Sequence, residues 1–147
     1  TQIDLTDYTH SLVDSLMAAY GYTPNQLERK VSIEVADVDV DIAIPLGLIL
    51  NELLTNAFKY AFPNARPTPR LTVRIWQNDG LNLLLADNGP GLNLNEWQTD
   101  QVLGRTTSFG RRLIHSLSDQ IGASLEVKVA QGTRFTLHIP THVFQMN

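Results

Sequence analysis

Cysteine is absent from the 147 residues. That excludes disulfides, thiolate metal sites and a cysteine nucleophile, and it is compatible with a reducing, cytoplasmic setting. A cationic cluster is absent too. The formal net charge is −4 and the lysines and arginines are scattered, so nucleic acid is not an expected partner. No long hydrophobic run exists: the longest, Ile42 to Leu50, is broken by Pro45 and is too short to cross a bilayer. Direct membrane contact by these residues is therefore not expected. No secretory signal, internal repeat or low-complexity segment is visible. The initiating methionine is missing as well, and Thr1 opens straight into helical pattern. The chain is read as a piece of a longer protein, with one domain over residues 1–141 and a C-terminal tail over 142–147. What is present, 43% apolar and 18% charged residues, suits a soluble globular α/β domain with a sizeable core.

Hydrophobic spacing predicts the elements. Leu5, Tyr8, Leu12, Val13, Leu16 and Met17 mark an amphipathic helix from Asp4 to Tyr20, ended by Gly21. Val31, Ile33 and Val35 alternate as a strand. A second helix is expected from Ile44 to Ala61, with Asp41 just before it and Pro45 near its first turn. It must stop near Phe62-Pro63. Leu71, Val73 and Ile75 form a strand, Asn78-Asp79-Gly80 a hairpin turn, and Leu81 to Ala86 the partner strand. After the long polar connection from Asp87 to Ser108, a helix runs from Phe109 to Ile121. Leu125 to Val129 and Arg134 to Ile139 close the chain as a hairpin around Gln131-Gly132. This order predicts an α/β (α+β) two-layer sandwich: a mixed, mostly antiparallel sheet covered on one face by about three helices.

Four motifs carry chemistry. In Asn51 to Pro63, Glu52, Asn56 and Lys59 are spaced by four and three residues, which sets them on one side of a helix whose other side is Leu50, Leu53, Leu54, Ala57, Phe58 and Ala61. An amide oxygen suits Mg²⁺, and a lysine one turn on can neutralise phosphate oxygens; a polar side facing water is the plain alternative. Asp87-Asn88-Gly89-Pro90-Gly91 follows an apolar strand. Its glycines permit positive φ and close approach of a flat ligand, while Asp87 can accept from an exocyclic amine; an ordinary turn is the alternative. Ser108 and Gly110 open a helix whose free amides suit phosphate, or are simply capped by Ser108. Gly132-Thr133 sits at the final hairpin, where Thr133 can meet an adenine edge or its water.

In this order and on these elements, the motifs resemble those of the GHKL ATP-binding superfamily. The chain is similar to the catalytic ATP-binding domain of a bacterial sensor histidine kinase, in the branch whose helix reads like Ile44-Pro45-Leu46-Gly47-Leu48-Ile49-Leu50-Asn51-Glu52-Leu53. Asn51 to Phe62 matches the N box, Asp87 to Gly91 the first glycine box, Ser108 to Leu113 the second, and Gly132 to Phe135 the closing Gly-Thr motif.

The resemblance implies ATP and Mg²⁺ as cofactors. It implies that Asn56 holds the metal, Lys59 meets the phosphates and Glu52 polarises the incoming nucleophile. Asp87 would read the adenine amino group, Gly89 and Gly91 would shape its pocket, and Thr133 would support the same contact. Leu92 to Thr107 would be a lid. The γ-phosphoryl would pass to a histidine on a separate dimerisation and phosphoacceptor domain of the parent protein, and then to the receiver domain of a response regulator. The second glycine box, Ser108-Phe109-Gly110-Arg111, is poorer in glycine than in most sensor kinases. His10 lacks the arginine- and asparagine-bearing context that an acceptor histidine has in this branch. His115 reads as a surface or partner-facing residue, and His138 and His142 as structural. The alternative is a nucleotide-dependent regulatory module, resembling anti-sigma factors or serine-directed kinases and acting through protein binding.

Overall fold

The structure is a computed structural model describing residues 1–35, 37–95 and 109–141, with Phe109 described through its backbone. Ser108, most of the expected lid and the tail with His142 lie outside the described residues. The chain runs β1 (Gln2–Asp4), α1 (Leu5–Ala19), β2 (Glu28–Glu34), β3 (Asp37–Asp39), α2 (Val40–Asn56), β4 (Arg70–Gln77), β5 (Gly80–Asp87), α3 (Phe109–Gln120), β6 (Ser124–Val129) and β7 (Thr133–Pro140). The main sheet has five strands in the order β2-β4-β5-β7-β6, parallel only between β2 and β4.

Alternation sorts the sheet's two faces. Leu71, Val73 and Ile75 of β4, Leu81, Leu83 and Leu85 of β5, and Phe135, Leu137 and Ile139 of β7 are all buried on one side. Register brings Val73 opposite Leu85 and Leu85 opposite Phe135. The three helices cover that side, with α2 packed against both α1 and α3. Among the described residues no helix covers the other face, which carries polar pairs: Arg74 lies over the Trp76 ring at 4.3 Å while pairing with Glu34, and His138 Nδ1 meets Asn82 Oδ1 at 2.7 Å. His138 is thus tied into the sheet, as its position suggested.

Two local features differ from the expected pattern. β1 and β3 form a small antiparallel pair, β1 leading directly into α1 and β3 into α2; strands of three residues are too short for alternation to reveal. The second helix also begins at Val40, four residues earlier than expected, because the Asp39 carboxylate accepts from the Asp41 amide at 2.9 Å and caps it there. Pro45 therefore lies inside the helix, and its missing N–H forgoes the bond to the Asp41 carbonyl.

The far end of α2 is not uniform either. Residues Ala57–Ala61 form a π turn and Phe62–Asn64 a 3-10 turn. Phe58 anchors the π turn from below, with ring centroids 5.6 Å from Tyr20, 5.7 Å from Tyr22 and 4.9 Å from Phe62. Val40–Asn64 is long and apolar enough by length and composition to cross a membrane. Of its most apolar window, 56% is buried inside the domain, as befits a core helix.

Candidate functional site

The pleat that buries Leu83 and Leu85 sets Asp87, two residues on, toward the same helix-covered side. There Oδ1 of Asp87 accepts from the Gly89 amide at 2.9 Å and from the Thr133 amide at 3.2 Å. Both bonds land on one oxygen. Burial raises the Asp87 carboxyl above the ordinary carboxylate range, and the Gly89 and Thr133 amides oppose that shift. Among the described residues, both of these amide bonds fall on Oδ1.

The glycines around Asp87 serve different ends. Gly91 has a φ of +86°, and a side chain there would meet Val129 Cγ1 at 2.6 Å. Gly89 is not in the positive-φ region, against the expectation for this motif; its smallness matters instead, since a Cβ would lie 2.8 Å from the Ala61 backbone. That close approach seats the Asp87 turn on the π turn of α2. Gly132 has a φ of +124°, and a Cβ there would fall 1.9 Å from the Asp87 carbonyl oxygen.

Thr133 is buried, and its hydroxyl accepts from the Leu92 amide at 3.1 Å. The closing hairpin therefore holds both the Asp87 carboxylate and Leu92, five residues further along the long connection. Asn88 staples the turn from behind, accepting from the Arg70 amide at 2.7 Å and donating to the Thr68 carbonyl at 2.8 Å. A cavity of about 450 Å³, lined by Arg66, Arg70, Thr72, Asn88 and Asp87, opens behind this turn. Gly89 and Gln131 line it too, so the cavity reaches the Asp87 turn itself.

Along α2, Glu52 and Asn56 are half-buried, and Lys59 is exposed in the π turn. The single-sided alignment of these three residues presupposed α-helix as far as Ala61; the wider π turn shifts Lys59 off that line. Such turns recur at functional sites. At the start of α3, a Cβ on Gly110 would lie 1.9 Å from Glu52 Oε1. Gly110 thus gives the Glu52 carboxylate its room beside the first turn of α3. His10 and His115 are half-buried; burial lowers the His115 pKa, against the pull of Asp119 one turn on.

Asp87, Gly89, Gly91 and Thr133 therefore converge at one end of β5 and β7, and Glu52 and Gly110 converge where α2 meets α3. The Gly89–Ala61 contact links the two groups. Asn88, Gly132 and Ala61 belong to the arrangement although sequence reasoning gave them no role. Asn88 and Gly132 stand inside the quoted motifs, whereas Ala61 was marked only as part of the apolar side of the second helix.

A family model described as "Histidine kinase-, DNA gyrase B-, and HSP90-like ATPase" matches residues 41–143. "Blue-light-activated histidine kinase 2" of Erythrobacter litoralis is 29% identical over 117 residues, covering 78% of this chain and 32% of that protein. "Sensor protein LytS" of Bacillus anthracis is 27% identical over 130 residues, covering 82% of this chain and 22% of that protein. The chain thus spans a third or less of the length of these curated relatives. Among solved structures, the histidine kinase domain of the Erythrobacter litoralis EL346 blue-light-activated kinase superposes with a TM-score of 0.79 at 26% identity, over 95% of this chain and 62% of that one. The mycobacterial sensor histidine kinase MprB gives a TM-score of 0.72 at 22% identity, over 95% of this chain and 97% of that one. MprB speaks to the fold alone.

Proposed function

This chain belongs to the family of histidine kinase-, DNA gyrase B- and HSP90-like ATPases, and from that premise we propose that it is the ATP-binding catalytic domain of a two-component sensor histidine kinase. The γ-phosphoryl of Mg-ATP passes to a histidine on a separate dimerisation domain, for relay to a response regulator receiver domain. The domain works in the cytoplasm. The observation that carries the reading is the Asp87 carboxylate: desolvated, held through Oδ1 by two amides, and set on the helix side of the sheet.

Each residue has a task in this reading. Asp87 accepts from the adenine amino group, and the Thr133 and Gly89 amides fix the carboxylate for it. Gly91 keeps the turn narrow enough for the purine to reach the backbone. Lys59 faces the phosphates as a point charge, and the first amides of α3, with Ser108 and Gly110, receive phosphate oxygens. Phosphoryl transfer asks mainly for positioning and charge neutralisation, which these groups supply. Glu52 orients and polarises the incoming nucleophile.

The donor set fits Mg²⁺. Among the described residues no cluster of three or more His, Asp or Glu could hold a metal unaided. A single amide oxygen from half-buried Asn56, completed by phosphate oxygens and water, is the arrangement this hard cation commonly takes. When bound, the ion would neutralise charge on the phosphates.

By themselves the 147 residues bind ATP, hydrolyse it slowly and do not phosphorylate themselves. Calorimetric titration tests this: ATP should bind in preference to GTP, and Asn56→Ala should abolish the Mg²⁺ dependence of triphosphate binding. Equal affinity for the two purines would sink the assignment of Asp87, and persistent Mg²⁺ dependence would move the metal elsewhere. Labelled transfer to a candidate acceptor should give an acid-labile phosphoryl bond.

A further inference from the structure

The outward line of α2 changes character along its length. Asn51, Glu52, Thr55 and Asn56 are polar and half-buried, but one and two turns earlier the same arc presents Leu48 and Ile44, 45% and 59% exposed. Residues four apart lie one above the other on a helix, so Ile44, Leu48 and Glu52 form a nearly straight row about 12 Å long. Tyr8 of α1, 40% exposed, borders the row and donates its hydroxyl to the Gly47 carbonyl at 3.1 Å. Scattered single apolar side chains on a surface are ordinary. Three of the largest on one side, leading straight to a candidate catalytic carboxylate, are not scattered.

The surroundings of the row are acidic. Asp4, Asp7, Asp37 and Asp41 are exposed at the end of the domain where α1 and α2 begin, and β1–β3 pairing sets Asp4 opposite Asp37. No lysine or arginine occurs between Thr1 and Glu28, or between Val31 and Phe58. The cations of the neighbouring helix, Arg111 and Arg112, lie in the α3 turn beside Glu52, at the other end of the row. A second copy of this chain would bring acid against acid. Three partly exposed side chains are also far short of the roughly 800 Å² per partner that a stable dimer buries. What fits is a transient partner that is apolar along one face and basic beside it.

We propose that Ile44, Leu48 and Tyr8 form the docking surface for the protein substrate, an amphipathic helix with apolar residues one turn apart, flanked by lysine or arginine, carrying the phosphoryl-accepting side chain. The proposal rests on the kinase reading above and names the partner's chemistry. Two apolar anchors one turn apart match the spacing of Ile44 and Leu48. They align the incoming helix along α2, so that a residue one to two turns further on meets Glu52. The acidic rim steers the approach, and holding the acceptor in register makes the transfer effectively intramolecular.

Ile44→Glu and Leu48→Glu, made singly in the complete natural protein that carries these residues, test it. Both side chains are exposed, so the fold should survive, which melting by circular dichroism checks. Mg-ATP affinity by calorimetry should stay within twofold, while acid-labile phosphoryl incorporation from γ-labelled ATP should fall tenfold or more. Asp41→Lys should lower incorporation severalfold. Incorporation unchanged in both apolar variants overturns the docking surface and leaves the kinase reading standing. Loss of ATP binding in both overturns it too, by making the row part of the nucleotide site. A dimer of the 147-residue chain that either substitution dissolves, seen by sedimentation, would make the occupant a second copy. If the unsubstituted protein binds no ATP, or transfers no phosphoryl group, the kinase reading fails and the docking surface fails with it.

Discussion

The backbone amide of Thr133 donates to Asp87 Oδ1 at 3.2 Å, joining residues 46 apart in the chain. The same oxygen takes the Gly89 amide, so the carboxylate is the knot of two turns. Asn at this position would keep an acceptor oxygen for both amides while removing the charge. Because burial raises the folded Asp87 pKa, the folded chain holds this proton more tightly than the unfolded one. Its contribution to stability is fully present below the ordinary carboxylate pKa and is lost as pH rises through the raised value. At neutral pH the ionised group is a net cost. Asp87→Asn should therefore melt at the same temperature or higher at pH 7, and lose that component of the acid-range pH dependence. Its adenine affinity should fall about 10- to 100-fold, the scale of a charge-assisted hydrogen bond. A melting temperature several degrees lower would mean that the charge itself holds the two turns together.

Gly132 and Gly21 both sit at positive φ, but only Gly132 is crowded. A Cβ on Gly132 would fall 1.9 Å from the Asp87 carbonyl oxygen at a φ of +124°, whereas Gly21, at +77°, has nothing within 4 Å. Backbone cannot swing aside as a side-chain tip can. Gly132→Ala should cost about 3 kcal/mol or more in urea unfolding, while Gly21→Ala should cost only about 1–2 kcal/mol from the left-handed conformation. Equal costs would show that the turn has slack to yield.

What was legible in the sequence followed periodicity and turn chemistry. Leu71, Val73 and Ile75 alternate, and Asp79-Gly80 and Gln131-Gly132 turn where positive φ is required. The convergence of Asp87 with Thr133 was legible only through the resemblance, since no local rule pairs residues so far apart. The π turn at Ala57–Ala61 was not legible, because its residues suit an α-helix equally well and aromatic packing around Phe58 accompanies the wider turn. β1 and β3 escaped notice for their brevity. Gly89 was singled out for backbone freedom but is needed for nearness to Ala61, a tertiary contact that spacing cannot reveal.

Thr9 carries a small defect that can be repaired. It is fully buried in α1, and among the described residues its hydroxyl has no hydrogen-bond partner. A buried hydroxyl without a partner costs on the order of 1–3 kcal/mol. Thr9→Val keeps the shape and removes the polar atom, so it should raise stability by about 1 kcal/mol in urea or thermal unfolding. A loss of stability would reveal a partner for that hydroxyl.

Gly110 faces Glu52 rather than backbone, and the consequence of filling that space is therefore functional. The nearest atoms to an added Cβ are Glu52 Oε1 at 1.9 Å, Cδ at 2.6 Å and Cγ at 3.0 Å, all in one flexible, half-buried side chain. Gly110→Ala should make Glu52 swing away at a cost of about 1 kcal/mol or less. On the proposed reading the carboxylate then leaves the position from which it orients the nucleophile. Displacement of about 1 Å can cost about 10²-fold in rate, so slow ATP hydrolysis should fall by that order while ATP affinity changes little. Glu52→Ala should abolish hydrolysis and remove the clash. Adding Gly110→Ala to Glu52→Ala should then cost less stability than Gly110→Ala alone, a coupling that a double-mutant cycle measures. Strict additivity, or full hydrolysis in Gly110→Ala, would separate Gly110 from the placement of Glu52 and leave it only a role in the first turn of α3.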